Sequence, residues 1–270
     1  MLGIFKRKPT LSTEDVEFQI ATFKWLLRNF GGDDFYNHAK LVLPTRKFFP
    51  SKVNSEEEAA YETFLAVKEY AGMRDWACRL EAQEEDVDPQ VAPTLMIQNV
   101  PQNPLGTFQA NDNEGIVVTY NPTIAANPTQ LVATLAHELS HYLTATSPTP
   151  PPGGWENWEF ATDITATFLG FGIFMSNSAF SFQQFTEVDS QGWAFNRSGY
   201  LSEAEHIYSL AIFLLLKGVE PDIATAHLKP NLKKMLKKCI KEISATEYIN
   251  ELKAVEYLAP SNSNLSQLAT

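Results

Sequence analysis

The chain has almost no cysteine: Cys78 and Cys239 are the only two in 270 residues, and they stand far apart. That excludes a disulfide framework and a cysteine-built zinc site, and it suits a reducing, cytoplasmic setting. Long apolar runs are also missing. The most hydrophobic windows, FLGFGIF (168–174) and LAIFLLL (210–216), fall short of the ~20 residues that cross a bilayer, so no membrane span is expected. The first residues, MLGIFKRKPT, put their basic side chains after a short apolar stretch, the reverse of a signal peptide. Positive charge is scarce. With 21 Lys and Arg against 32 Asp and Glu, the net charge is −11 and the pI about 5.0, which argues against nucleic acid as a principal partner. There is no glycine-rich phosphate loop, no G-x-S-x-G and no Cys–His nucleophile pattern, so cofactor-dependent and nucleophilic-hydrolase readings have no basis.

What is present is core-forming material. Hydrophobic residues make up 44% and aromatics 12%, enough for a sizeable interior. Residues 13–30 carry apolar side chains at helical spacing and end at Gly31-Gly32, which predicts a helix with a glycine stop. AKLVLPT (39–45) predicts a short strand, and Ser55 with Glu58 opens a capped amphipathic helix over 55–73. WACRLEAQ (76–83) alternates as a strand does and leads into the acidic EEDVD. PLGTFQANDNEGIVVTY (104–120) predicts two strands round a polar turn. Beyond Asn127 only helices are predicted: about 128–144, Trp155–Met175, Ser202–Leu216 and at least one in 230–257. No internal repeat or separating linker occurs. The expectation is an α+β fold in a single domain, 1–270. It comprises a small N-terminal mixed sheet with helices (1–127), a mainly helical lobe (128–258) and a flexible tail (259–270).

One stretch carries chemistry. ATLAHELSHYL (133–143) sets His137, Glu138 and His141 in the order H-E-x-x-H. On a helix, residues four apart share a face, so both imidazoles can reach one point about 2 Å from a common zinc ion. Glu138 lies about 100° round the helix, beside the metal, where it can move a proton from an activated water to a leaving amine. Leu131, Leu135, Leu139 and Leu143 flank the motif, so it is expected to be partly buried. Two histidines and a glutamate there are costly without a cation. The alternative is a helix whose histidines satisfy ordinary core hydrogen bonds.

Two histidines need a third donor. A metzincin continuation fails, because Thr144 and Ser147 stand where glycine and histidine are required. A glutamate from a later helix is the other route. Glu159, 18 residues after His141, belongs to EFATD, with Asp163 one turn on. Glu159 can coordinate zinc while Asp163 accepts a hydrogen bond from the outer nitrogen of a zinc histidine, fixing its tautomer. Glu156 competes as third donor but has Phe160, not a carboxylate, four residues on, and Asp163 itself is a further alternative.

HELSH (137–141) and EFATD (159–163) resemble the gluzincins, the thermolysin-like superfamily of zinc metallopeptidases, over about residues 115–175. The continuation TDITATFLGFGIF resembles that of uncharacterised bacterial members. The resemblance implies a zincin-like fold and one zinc ion held by His137, His141 and Glu159, with Glu138 as general base. It also implies Asp163 as the support of His137, and a peptide or protein as substrate. Peptidases of this class hold substrate as a strand added to a sheet edge, for which GIVVTY (115–120) is a candidate, though it reads equally as an ordinary strand. They also need an oxyanion donor. His206 is the best single candidate, with Tyr200 and Tyr208 nearby, although a plain core or surface histidine is the favoured reading of that position. The loop SPTPPPGGWENW (147–158) is either a substrate wall or a stiff connector. In KPNLKKMLKKCIKEI (229–243), Leu232, Met235, Leu236, Cys239 and Ile240 form an apolar stripe against a lysine face. That face could meet a membrane or nucleic acid, but in an acidic protein a solvated helix face is the expected role.

The expected activity is zinc-dependent hydrolysis of peptide bonds. The alternative is a non-enzymatic, zinc-stabilised regulatory or interaction protein on a peptidase-like fold. A purely structural site has no use for Glu138 and tends to use four protein ligands.

Overall fold

The computed structural model describes residues 8–49, 53–82, 95–98, 116–120, 122–186 and 201–258. Helix α1 (Thr13–Phe30) begins where the Ser12 hydroxyl accepts the Asp15 N–H, and it ends at Gly31. Helix α2 (Glu56–Tyr70) is capped by Ser55. The Glu58 carboxylate reaches back to the Asn54 amide, so the expected box closes one residue upstream of the cap. Strands β1 (Cys78–Ala82), β2 (Leu95–Gln98) and β3 (Ile116–Tyr120) form one sheet in the order β1-β3-β2. β3 runs parallel to β1 and antiparallel to β2, with Leu80 and Ile97 both opposite Val118. Val117 and Val118, on opposite faces, are both buried, so the middle strand is covered on each side.

The fold is mixed α and β and mostly helical, as the residue pattern implied. Two strand expectations need correction. Residues 39–45 are extended but join no sheet; instead the Val42 N–H donates to the Gly170 carbonyl at 3.0 Å. Leu41 and Val42, adjacent in this apolar stretch, are both buried. β3 is not an edge: β1 and β2 occupy its two sides, and its backbone groups are engaged in the ladders. β2, not anticipated from the sequence, is the flank that packs against the next helix. The first strand expected in 104–120, the EEDVD segment, Tyr200 and the tail 259–270 lie outside the described residues.

Helix α3 (Pro128–Ala145) starts as read, with the Asn127 side chain accepting the Gln130 N–H and Pro128 in the first turn. The helix expected over 155–175 is not continuous. It is a 3₁₀ turn (Trp155–Asn157), α4 (Trp158–Ala166), a π turn (Thr167–Phe171) and α5 (Gly172–Thr186). The break falls at Gly170, whose φ is +105°. The extended segment at Lys40–Val42 crosses there, so close that a Cβ on Gly170 would stand 2.0 Å from the Lys40 carbonyl oxygen. Only glycine allows both the angle and the approach. Phe168, beside the break, stacks on Phe35 with ring centres 4.2 Å apart.

Helix α6 (Glu203–Lys217) carries the full capping box of Ser202 and Glu205 and ends at left-handed Gly218. It is buried on nearly every side, by α5, α8 and α9 and in part by α1 and α4. Short α7 (Pro221–Thr225), amphipathic α8 (Pro230–Ile243) and α9 (Tyr248–Lys253) complete the chain order. One buried cluster runs from Leu11 to Leu252. Among the described residues, no helix is long and apolar enough to cross a membrane.

The Gly170 junction yields a direct test. Gly170→Ala adds left-handed strain and a backbone clash, and is expected to destabilise the fold by roughly 3 kcal/mol or more. Thermal unfolding checks this: a melting temperature equal to the parent's would mean the kink tolerates a side chain.

Candidate metal centre

α3 places His137 and His141 one turn apart on the face that meets α4, and α4 presents Glu159, Thr162 and Asp163 in return. The Nε2 atoms of the two histidines lie 3.1 Å apart. Glu159 Oε2 is 3.2 Å from His141 Nε2 and 3.4 Å from His137 Nε2. These three residues form a group that could hold a metal ion. Ligands 2.0–2.1 Å from a tetrahedral zinc ion are separated by about 3.3–3.4 Å, so the observed triangle matches one face of such a polyhedron.

His137 Nδ1 faces Asp163 Oδ1 at 2.9 Å, and an ionised carboxylate only accepts, so that nitrogen donates its proton. His141 Nδ1 faces Thr162 Oγ1 at 3.3 Å. The two Nε2 atoms and a Glu159 carboxylate oxygen converge on one point, where a proton on an imidazole or a metal ion can supply the positive charge that holds them together. The imidazole planes are nearly perpendicular, with centres 4.7 Å apart.

Further contacts hold these side chains in place. Asp163 is 1% exposed, and its second oxygen accepts the Leu201 N–H at 2.9 Å, at the entrance to α6. Trp158 stands edge-on to His141 with ring centres 5.0 Å apart and donates its indole N–H to Thr144. Trp25 on α1 donates to Thr149, which ties the Pro-rich loop down. That loop is thus an anchored connector, while Trp158 at its end walls the His141 side. Thr162 and the Leu201 amide were not anticipated from the sequence. Thr162 had a signal, three residues after Glu159 on the same helical face; a backbone amide 38 residues from Asp163 had none.

Burial sets the electrostatics. Glu138 is 9% exposed, and desolvation pushes its carboxyl up, opposed by the nearby His137 and His141. His137, at 3% exposure, is lowered by burial, but the hydrogen bonds of Asp163 and Glu159 outweigh this and hold it well above the usual imidazole range. Glu159 loses some solvation, yet the hydrogen bonds of His137 and His141 keep its carboxyl far below the usual range. Its side chain remains 45% exposed, so one side of the triangle is open.

The other candidates are placed elsewhere. Glu156 sits exposed on the 3₁₀ turn and does not join the donor group. Asp163 lies on the outer side of His137, as its support and not as a donor to the triangle. His206 is not brought to the open side. It is 1% exposed, with Nε2 3.7 Å from Asp163 Oδ2. Tyr208 is likewise buried in the core, where desolvation pushes its phenol up. Compared with protein-family models, with curated proteins and with solved structures, the chain finds no match.

Two measurements examine the donor set. Glu159→Ala is expected to abolish stoichiometric metal binding, while Glu156→Ala leaves it intact; equal metal content in both variants would reassign the third donor. A proton on His137 Nε2 competes with a metal for the same lone pair, and its elevated pKa strengthens the competitor. Metal affinity is therefore expected to fall with pH below that pKa, approaching tenfold per pH unit for one displaced proton. Calorimetry in buffers of different ionisation enthalpy reads that proton directly.

Proposed function

We propose that this protein is a zinc-dependent metallopeptidase of gluzincin type, with a zincin-like arrangement of the whole chain as one domain. The observation that carries the reading is the His137–His141–Glu159 triangle with buried Glu138 next to it and not among its donors. A zinc ion bound there supplies a Lewis acid that polarises a carbonyl and acidifies water. His137, His141 and Glu159 hold it, and Asp163 keeps the Nε2 of His137 directed at it. Glu138 takes the proton of the attacking water and hands it to the leaving amine, a transfer worth about 10²–10⁴ in rate. Its raised pKa, from burial, brings it closer to the range where a carboxylate both accepts and returns a proton. The partly exposed flank at Glu159 gives substrate an approach.

The backbone edge of β2, which packs beside α3, takes the role first considered for β3. A peptide added along that edge would hydrogen-bond through its main chain, giving affinity with little sequence preference. Three protein donors and a carboxylate outside the donor set favour catalysis over a purely structural zinc site.

The test separates binding from chemistry. Glu138→Gln is expected to retain stoichiometric zinc and lose hydrolysis of a peptide-library substrate by 10²-fold or more. Full activity in that variant would falsify the general-base assignment.

A further inference from the structure

A cleft opens where the first turn of α3, the middle of α5 and the connector from α7 to α8 come together. Its volume is about 430 Å³, inside the range of about 300–1,000 Å³ that accommodates small molecules. Gln130 in its wall stands seven residues before His137, roughly 10 Å along the axis of α3. None of the three metal donors lines it.

The walls are fastened to one another. Asn177 on α5 donates its amide to the His227 carbonyl at 2.9 Å and accepts the Lys229 N–H at 3.0 Å, so it fixes the connector at two points. The Ser178 hydroxyl, 3% exposed, donates to the Thr129 carbonyl at 3.4 Å and joins α5 to α3. Other polar groups on the lining are left over. Among the described residues, the Gln130 amide, the His227 ring and the Lys229 ammonium have no hydrogen-bond or ion-pair partner. The frame is therefore formed in advance, and its cationic and amide groups are free to meet a ligand.

The lining selects the chemistry of that ligand. The chain carries a net charge of −11, yet the described residues of this cleft include Lys229 and His227 and no Asp or Glu. An anion enters here without facing a carboxylate on the wall. Phe, Tyr and Trp are missing from the same lining, and Leu228 is its one aliphatic side chain. A nucleobase finds no ring to stack on, and an acyl chain finds no apolar channel. We propose that this cleft binds the phosphate monoester of a small sugar or polyol. Lys229 and His227 take the phosphate, whose charge near pH 7 is about −1.5 to −2, while Gln130 and Thr129 take the hydroxyls. The site is separate from the metal centre and does not rest on the metallopeptidase reading.

Calorimetric titration of the full chain with glucose 6-phosphate, ribose 5-phosphate and glycerol 3-phosphate tests this, with glucose, inorganic phosphate and AMP for comparison. At least one of the three esters is expected to bind with saturation, more tightly than inorganic phosphate or AMP, and glucose is expected not to bind. Lys229→Gln is expected to weaken that ester about tenfold or more, and Gln130→Ala severalfold. Lys233→Gln, one turn further along α8, is expected to leave the affinity unchanged. Metal content in the three variants is expected to equal the parent's, so a failure at the metal centre is distinguishable from a failure here. Three results overturn the proposal: no saturable binding by any ester, AMP or inorganic phosphate binding as tightly as the best ester, or equal weakening by Lys229→Gln and Lys233→Gln.

Discussion

The hydrogen bond from His137 Nδ1 to Asp163 Oδ1, 2.9 Å long and almost wholly buried, is the interaction on which the rest depends. It joins α3 to α4, fixes the His137 tautomer and turns Nε2 toward the open side. Asp163 is 1% exposed, and this bond is not its only contact. The Leu201 amide takes its second oxygen, and the buried His206 ring stands 3.7 Å from that oxygen. Removing a partner from such a buried pair typically costs 3–5 kcal/mol, because the remaining charge stays desolvated. The His137–His141–Glu159 group is therefore rooted in three elements: α3, α4 and the start of α6.

Spacing on α4 follows from that constraint. Glu159, Thr162 and Asp163 occur three and four residues apart, so they share one face and reach the two histidines in order. Glu159 meets both Nε2 atoms, Thr162 the outer nitrogen of His141, and Asp163 that of His137. Beyond Ala166 the same helix can no longer run straight, because Lys40–Val42 crosses it at Gly170. The break lets α5 take a new direction to pack on both α3 and α6 while α4 keeps its register with α3.

The legible part of this molecule lay in short-range pattern. Ser55, Asn127 and Ser202 each cap the helix their sequence context announced, because a cap needs only a side chain and an amide two or three residues away. The illegible part lay in partners far along the chain. Residues 39–45 read as a short strand, yet among the described residues no sheet received them; a helix kink 128 residues away from Val42 did. β3 had the composition of any strand, and its place in the middle of the sheet depended on β1 and β2 arriving from either side. His206 looked available on a capped helix. Packing of that helix against α4 set it behind Asp163 instead.

By itself the sequence determined the two half-sites: H-E-x-x-H on one helix and Glu159 with Asp163 on another, since helical periodicity alone sets which side chains share a face. Only the tertiary structure decided that the halves meet with edges of 3.1–3.4 Å, that Glu159 and not Glu156 completes the triangle, and which side stays open. The reason is physical. Periodicity fixes directions around a helix axis, whereas the distance between two helices is set by the close packing of their buried faces, to which residues from the whole chain contribute.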